Sequence, residues 1–474
     1  MRRESIEDLV VVVPGIMGSR LMLGGREVWG PSPTAVWQAV RTFAGSVREL
    51  ALPRDIGDDH PGDGVVPAGL VPGLHALPGV WPLTDGYDTL ASWLRREFTL
   101  RPGANLLEFA YDWRLSCRYN ARRLADRVDE ALGRWRASAP ERADARVRLI
   151  CHSMGGLVGR YYVECLGGAE VTRRLITLGT PHRGSLGALD SLVSGVRLGR
   201  RGPRATRLTG FARTLPSLHQ LVPDYACLEN HRGLLKPREV TGGLPGVDPA
   251  LLKDAGTFHA EIRDAASERV GRGGSYRLCL PVVGVRQPTV TTAALEGELL
   301  WLRDTIEGRD EGGDGRVPRF AAYPAEVAPD SGSARTAFAT HGALKAHIGV
   351  RESLFDQLAP APRVHRNTGP AYPLGVRVPE QWPAAEPLPV EAWASGDRAG
   401  SDELAVRAEL TGPDGIPRHR TLRNLGGGHY SGRFTDLPPG AYRVTVRAAG
   451  DAAAGAVTAL ALISDDENGD AWHR

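Results

Sequence analysis

The chain has 474 residues, 42% of them hydrophobic, and its 58 basic and 55 acidic side chains leave a net charge of +3. This length exceeds one typical domain, and a nearly balanced charge argues against nucleic-acid binding. The five cysteines follow neither a disulfide framework nor a zinc-binding spacing. The apolar run at residues 9–13 is too short for a signal-peptide core, and no stretch is long enough to span a bilayer. We therefore expect a cytoplasmic protein of two domains.

Short apolar runs alternate with amphipathic helical patterns up to about residue 358, which is typical of a parallel sheet covered by helices. The runs are continuous, as expected for strands buried on both faces. They predict five strands, at residues 9–13, 105–109, 147–151, 174–178 and 278–285. Helical spacing across residues 119–135 predicts a crossover helix. Residues 1–358 are therefore predicted to form one α/β domain, with cap or lid insertions at about 29–80 and 196–258.

The composition changes after residue 358. Residues 359–389 are rich in proline and are predicted to be a linker. Short alternating segments separated by Gly, Pro and Asp then predict a small all-β sandwich at residues 390–464, with a disordered tail at 465–474. The sequence Phe-Thr-Asp-Leu-Pro-Pro-Gly-Ala-Tyr-Arg-Val at 434–444 resembles the strand entry common in immunoglobulin-like and transthyretin-like accessory domains. A proline-rich linker implies few contacts across the boundary, so the two domains are expected to be separable.

One predicted strand runs into a helix through a tight turn with Ser153 at its apex. The segment, residues 149–158, has the sequence Leu-Ile-Cys-His-Ser-Met-Gly-Gly-Leu-Val. Such a turn strains the serine backbone and exposes the hydroxyl, and small residues after the serine let helix and strand approach closely. Gly155 and Gly156 meet this need, although Cys151 replaces the first glycine of the usual Gly-x-Ser-x-Gly pattern. Ser153 is therefore predicted to be a nucleophile rather than an ordinary helix cap.

A serine on this kind of turn is followed along the chain by an acid and then by a histidine base. Asp314 is the predicted acid, because the glycines on either side of it form a tight loop after the last apolar strand. Asp304 and Asp310 are weaker candidates in the same region. The similar Gly-Asp-Gly around Asp63 precedes the nucleophile and is therefore in the wrong order.

Two histidines lie between Asp314 and the last helical pattern of the domain. His341 is the preferred base, because a loop separates it from the helix and lets the ring reach the serine. His347 lies almost against the helix and is the alternative base. His152, beside the nucleophile, is expected to point away from the pocket.

Backbone amides are expected to bind the oxyanion that forms when a serine attacks a carbonyl. One is the amide of Met154, the residue after the nucleophile. The other comes from the loop after the first strand, where Pro14-Gly15 turns the chain and presents the amide of Ile16, with Met17 a weaker candidate. Together the residues predict a serine nucleophile, its acid and base, and an oxyanion hole.

These motifs, in this order, resemble the lecithin:cholesterol acyltransferase family of α/β-hydrolases. The resemblance spans most of residues 9–358 and rests on Val-Val-Val-Pro-Gly-Ile-Met-Gly-Ser-Arg-Leu at 11–21, Gly-Tyr-Asp-Thr-Leu at 86–90, Ala-Tyr-Asp-Trp-Arg at 110–114, His-Ser-Met-Gly-Gly at 152–156, Thr-Leu-Gly-Thr-Pro-His-Arg-Gly-Ser at 177–185 and Gly-Asp-Gly-Arg-Val-Pro at 313–318. It implies the α/β-hydrolase fold and a bacterial esterase-like or lipase-like member. It also implies catalytic roles for Ser153, Asp314 and His341.

The predicted function is a serine hydrolase or acyltransferase acting on lipid-like carboxylic esters, of the esterase, lipase or phospholipase A type. It requires neither a metal nor an organic cofactor. The expected partner is a lipid or small ester, with peripheral lipid contact left open and with the C-terminal domain as a candidate binding site for a protein or carbohydrate. Two alternatives remain: an inactive hydrolase scaffold that serves as an interaction protein, and a thioesterase or peptidase on the same fold.

Overall fold

The computed structural model describes residues 3–30, 50–53, 55–72, 75–77, 81–84, 86–196, 206–327, 334–359, 374–394, 404–448 and 456–464. The predicted tail at 465–474 and residues 360–373 of the predicted linker lie outside the described residues. So do parts of both predicted cap insertions, at 31–49, 54, 73–74, 78–80 and 197–205.

A six-stranded sheet forms the centre of the N-terminal domain. Its strands in chain order are β1 (Leu9–Val13), β2 (Leu106–Glu108), β3 (Val147–His152), β4 (Thr172–Leu178), β5 (Cys279–Gly284) and β6 (Arg335–Ala337). They lie side by side in the order β6-β5-β4-β3-β1-β2, and every neighbouring pair is parallel. The predicted parallel sheet is confirmed. The edge strand β6 has no counterpart among the predicted strands.

Helices cover both faces of this sheet. In the described segments the α-helices are α1 (Tyr87–Glu97), α2 (Cys117–Ala137), α3 (Met154–Cys165), α4 (Leu186–Val193), α5 (Thr206–Ala212), α6 (Pro216–His219), α7 (Pro249–Gly271) and α8 (Ile348–Leu358). Successive side chains of β1 point to opposite faces. Val11 shares a core with Leu124 of α2, whereas Val10 shares another with Leu94 of α1 and Leu354 of α8. The predicted crossover helix corresponds to α2.

Shorter elements occupy the connections. Antiparallel pairing joins Ser19–Leu23 with Arg26–Trp29 and Val65–Leu70, His75–Leu77 with Trp81–Thr84, and Thr305–Ile306 with Arg309–Asp310. A four-stranded sheet contains Leu228–Asn230, Gly233–Leu235, Thr292–Glu296 and Leu299–Arg303. Single 3₁₀ turns occur at Pro140–Arg142, Gly168–Glu170, Pro237–Glu239, Tyr276–Leu278, Arg319–Ala322 and His341–Ala346. The predicted insertions thus contain short regular elements, while their role as caps stays a prediction.

The C-terminal region is all β, as predicted. Its strands are β7 (Leu374–Arg377), β8 (Gln381–Pro383), β9 (Leu388–Ala394), β10 (Val406–Thr411), β11 (Pro417–Gly426), β12 (His429–Phe434), β13 (Gly440–Ala448) and β14 (Val457–Ser464). They form one continuous curled sheet in the order β7-β9-β12-β11-β10-β13-β14-β8. Inward-facing residues such as Val390, Leu410, Tyr430 and Val444 form a core of their own.

The predicted linker at 359–389 is too long, because β7, β8 and the start of β9 lie within it. Proline is tolerated there for a local reason. β9 pairs with β12 over residues 388–393 but with β7 only over 391–394, so Pro389 has a strand on one side alone. The prediction of few contacts between the two domains is also wrong. For example, the Thr340 hydroxyl donates to the carbonyl oxygen of Thr458 in β14 at 2.9 Å.

All five cysteine side chains are free thiols. In the part of the chain that the structure describes, no helix is long and apolar enough to cross a membrane.

Candidate active site

Ser153 lies at the turn between the end of β3 and the start of α3. Its backbone has φ 53° and ψ −128°, a conformation that is costly for a residue with a side chain and that persists only where the surrounding structure enforces it. The strained turn expected from the sequence is therefore present, but Ser153 is buried, at 3% exposed, whereas the sequence predicted an exposed hydroxyl.

Two glycines make this turn possible through close approach rather than through unusual dihedral angles. A Cβ atom on Gly155 would lie 2.2 Å from the carbonyl oxygen of Pro14, and one on Gly156 would lie 1.9 Å from Oγ1 of Thr180. No side chain fits at these distances. The start of α3 therefore packs directly against the loop after β1 and the loop after β4.

Ser153, His341 and Asp314 form one continuous chain of hydrogen bonds. His341 Nε2 lies 2.9 Å from Ser153 Oγ, and His341 Nδ1 lies 2.7 Å from Asp314 Oδ2. A carboxylate can only accept, so Nδ1 carries the proton and Nε2 offers its lone pair to the serine hydroxyl. The structure brings together the three residues that the sequence analysis singled out, although they are up to 188 positions apart.

The carboxylate of Asp314 is oriented by its own loop. Its other oxygen, Oδ1, accepts hydrogen bonds from the amides of Arg316 at 2.9 Å and Val317 at 2.7 Å. The main chain adds a further link, since the His341 amide donates to the Asp314 carbonyl oxygen at 2.8 Å. Gly284, at the end of β5, leaves room for the aspartate, because a Cβ there would lie 2.4 Å from Asp314 Cβ.

The two amides predicted to bind an oxyanion belong to Met154, which follows the serine in the chain, and to Ile16, which follows a glycine that packs against the serine. Met154 is the first residue of α3, so its N–H is among those that no intrahelical carbonyl accepts. Ile16 follows Gly15 in the chain, and a Cβ atom added to Gly15 would lie 2.9 Å from Ser153 Cβ. The next residue, Met17, has a positive φ of 62°, and its carbonyl accepts a hydrogen bond from Trp29 at 2.9 Å.

Tyr87 and His152 connect these parts, and the sequence predicted no role for either residue. The Tyr87 hydroxyl accepts from the Gly15 amide at 2.7 Å and lies 2.9 Å from His152 Nδ1. Its single proton therefore points to Nδ1, and His152 Nε2 donates to the His341 carbonyl oxygen at 3.2 Å. The only sequence signal was the Gly-Tyr-Asp motif that contains Tyr87.

The alternative base is placed elsewhere. His347 Nε2 lies 3.3 Å from the carbonyl oxygen of Ala456 in the C-terminal domain, and its Nδ1 is buried without a hydrogen-bond partner. Burial lowers the pKa of its ring. Of the two candidate histidines, His341 alone contacts Ser153 and Asp314.

The early Gly-Asp-Gly motif has a different setting. Asp63 accepts from Arg114 Nη1 at 2.8 Å, and Arg114 also pairs with Asp112 at 2.6 Å. The Tyr-Asp-Trp-Arg segment therefore fixes one predicted insertion to the rest of the domain. Among the weaker acids, Asp310 accepts from the Gly312 amide at 2.8 Å within its own hairpin.

The thiol closest to Ser153 along the chain is also buried. Cys151, two residues before Ser153, is fully buried, and burial raises the pKa of its thiol well above the usual range. A neutral buried thiol is a poor nucleophile. Across the described segments, His, Cys, Asp and Glu side chains form no group of three that could hold a metal ion.

Comparison with known proteins supports the resemblance. Residues 82–233 match the family model described as lecithin:cholesterol acyltransferase. Among solved structures, the Bacillus licheniformis lipase BlEst2 in propeptide form is 13% identical, with 96% of this chain and 93% of that chain aligned and a TM-score of 0.36. Its mature form is 12% identical, with 75% and 94% aligned and a TM-score of 0.35. Curated proteins give no match. The match to the family model confirms the resemblance to the lecithin:cholesterol acyltransferase family over residues 82–233, the segment that contains Ser153.

Proposed function

We propose that the protein is a serine hydrolase or acyltransferase that acts on lipid-like carboxylic esters through an acyl-enzyme intermediate. The observation that carries this proposal is the unbroken hydrogen-bond chain from Ser153 through His341 to Asp314. Ser153 itself lies at the apex of a strained strand–helix turn. The match of residues 82–233 to an acyltransferase family supports the lipid-ester class.

In the first step, Ser153 Oγ attacks the carbonyl carbon of the ester while His341 Nε2 takes the proton of the serine hydroxyl. The amides of Ile16 and Met154 bind the oxyanion that forms, and Asp314 stabilises the charged imidazole. The C–O bond to the leaving alcohol then breaks, and His341 returns the proton to that alcohol. The product of this half-reaction is an ester between the acyl group and Ser153.

In the second step, His341 removes a proton from water or from an acceptor alcohol, whose oxygen attacks the acyl group on Ser153. The serine leaves with the proton from His341, and a free acid or a new ester is released. Water gives hydrolysis and an alcohol gives acyl transfer, with the same residues in the same roles. These steps use no metal and no organic cofactor.

The test is covalent labelling by a fluorophosphonate combined with turnover of an ester panel that varies acyl length and head group. Ser153→Ala should abolish labelling and lower kcat by about 10⁶. Ser191→Ala is the control, because the Ser191 hydroxyl donates to the Gly187 carbonyl oxygen at 2.9 Å within the same helix, α4. Adding an acceptor alcohol separates transfer from hydrolysis, and thioester and peptide substrates test the alternative chemistries. A folded wild-type protein that is neither labelled nor active on esters would contradict the proposal.

A further inference from the structure

The last strand of the C-terminal domain is buried on both faces. Val457, Ala459 and Ile463 of β14 point into the core of their own domain. Leu460 and Leu462 point the other way, since side chains alternate along a strand, yet each is only 4% exposed. β14 also contacts two elements of the α/β domain, the 3₁₀ turn His341–Ala346 and the strand Trp81–Thr84. The strand therefore lies between its own core and the α/β domain.

Hydrogen bonds join this strand and the residue before it to both ends of the turn that begins with His341. Thr340, the residue immediately before His341, donates twice to the carbonyl oxygen of Thr458, from its amide at 3.4 Å and from its hydroxyl at 2.9 Å. At the other end of the turn, His347 Nε2 donates to the Ala456 carbonyl oxygen at 3.3 Å. The segment that carries His341 is therefore held to the C-terminal domain at both ends.

The loop that carries Asp314 is held by the same edge of the domain. The guanidinium of Arg316 pairs with Glu380, just before β8, and the Arg316 amide donates to Asp314 Oδ1 at 2.9 Å. The main chain of Glu380 is fixed in turn, because its carbonyl oxygen accepts from the Leu462 amide of β14 at 2.8 Å.

A second contact reaches this loop through Gln287. The side-chain oxygen of Gln287 accepts from the backbone amide of Val376 in β7 at 3.4 Å. The backbone amide of Gln287 donates to the Gly313 carbonyl oxygen at 3.0 Å. Gly313 directly precedes Asp314. The C-terminal domain thus contacts the His341 segment through Ala456 and Thr458 and the Asp314 loop through Glu380 and β7, while Ser153 lies at the turn between β3 and α3.

We propose that the C-terminal β domain is a positioning element that sets His341 at hydrogen-bonding distance from Ser153 and Asp314 at hydrogen-bonding distance from His341. This proposal rests on the proposed function and identifies Thr340, Arg316 and Glu380 as positioning residues. Asp314 and His341 come from loops, and a site on loops is less exact than one supported by a sheet. Because a misplacement of about 1 Å can cost about 100-fold in rate, such support has a kinetic effect.

The test uses full-length variants. Thr340→Val removes the hydroxyl that bonds to Thr458 and keeps the side-chain shape, whereas Thr340→Ser keeps the hydroxyl. Glu380→Gln weakens the pair with Arg316, which is partly exposed and so contributes little to stability. Arg418→Gln is the matched control, because its partner Asp414 lies in the same domain and this pair does not involve the α/β domain.

We expect Thr340→Val and Glu380→Gln each to lower kcat and the rate of fluorophosphonate labelling by about tenfold, with KM nearly unchanged. Thr340→Ser should restore most of the rate, and Arg418→Gln should match the wild type. Thermal unfolding of Glu380→Gln should also match that of Arg418→Gln. If kcat and labelling stay at wild-type values in both Thr340→Val and Glu380→Gln, the positioning proposal is overturned while the proposed function stands. A wild-type protein without labelling or turnover would overturn the proposed function itself.

Discussion

The Tyr87 hydroxyl is the link most open to a quantitative test, because Tyr87→Phe removes one oxygen and changes nothing else in shape. The hydroxyl serves two buried groups, the Gly15 amide at 2.7 Å and His152 Nδ1 at 2.9 Å. A buried polar group left without a partner costs about 1–3 kcal/mol. Loss of the partner of the Gly15 amide alone gives an expected fall of about 1–3 kcal/mol in the free energy of unfolding, a substantial share of the 5–15 kcal/mol typical of a folded protein.

The same change should slow the reaction, because Gly15 directly precedes the Ile16 amide proposed to bind the oxyanion. Loss of one oxyanion donor costs about 10²–10³ in kcat, and loosening its loop should cost less, about tenfold. Denaturant unfolding measures the first effect, and turnover of a small soluble ester measures the second.

Tyr442→Phe is the control for this experiment. That hydroxyl donates to the Pro438 carbonyl oxygen at 2.7 Å inside the C-terminal domain, and because Pro438 is exposed, water can replace the lost hydrogen bond. We expect a smaller loss of stability and an unchanged kcat. Equal unfolding midpoints for Tyr87→Phe and the wild type would refute the hydrogen-bond argument, and equal kcat would refute the link to the oxyanion loop.

Three further outcomes are expected. His341→Ala should abolish fluorophosphonate labelling while His347→Ala retains most of it, and the reverse pattern would transfer the role of base to His347. Gly156→Ala should strongly destabilise the protein, whereas Gly133→Ala, where an added Cβ meets nothing within 4 Å, should be neutral or mildly stabilising in thermal unfolding. Burial raises the pKa of Asp8, but hydrogen bonds from Arg173, Arg148 and the Arg146 amide outweigh it and the net pKa is lowered. Its stabilising contribution should therefore be full above about pH 5 and fall as the pH drops through the folded-state pKa, so the stability gap between wild type and Asp8→Asn should narrow in acid.

The sequence predicted the sheet well where strands are apolar and continuous. β1 is buried along its whole length, and its run of valines makes its state unambiguous. β6 was missed because two of its three residues are exposed, so the pattern contains no apolar run. The prediction of a linker before residue 390 was wrong for a different reason. A proline-rich composition excludes a central strand, but it does not exclude strands that have a neighbour on one side only.

At the candidate site, chain order was the strongest signal. It selected Ser153, Asp314 and His341, and the structure brings the three side chains into one hydrogen-bonded chain. Order could not reveal Tyr87, because its function depends on a contact with His152 that is 65 residues away along the chain. The contacts of the C-terminal domain were equally hidden, since carbonyl oxygens such as that of Thr458 have no sequence signature.

The double burial of β14 also has a consequence for protein synthesis. The Thr458 carbonyl that accepts both Thr340 hydrogen bonds is synthesised 118 residues after Thr340. Domains fold as units while the chain emerges from the ribosome, N-terminal part first. The α/β domain can therefore form its sheet and strained turn early, but the loops of Asp314 and His341 gain their outer support only when the final strand has emerged. On the positioning proposal, full ester-cleaving activity would then appear only after β14 has left the ribosome.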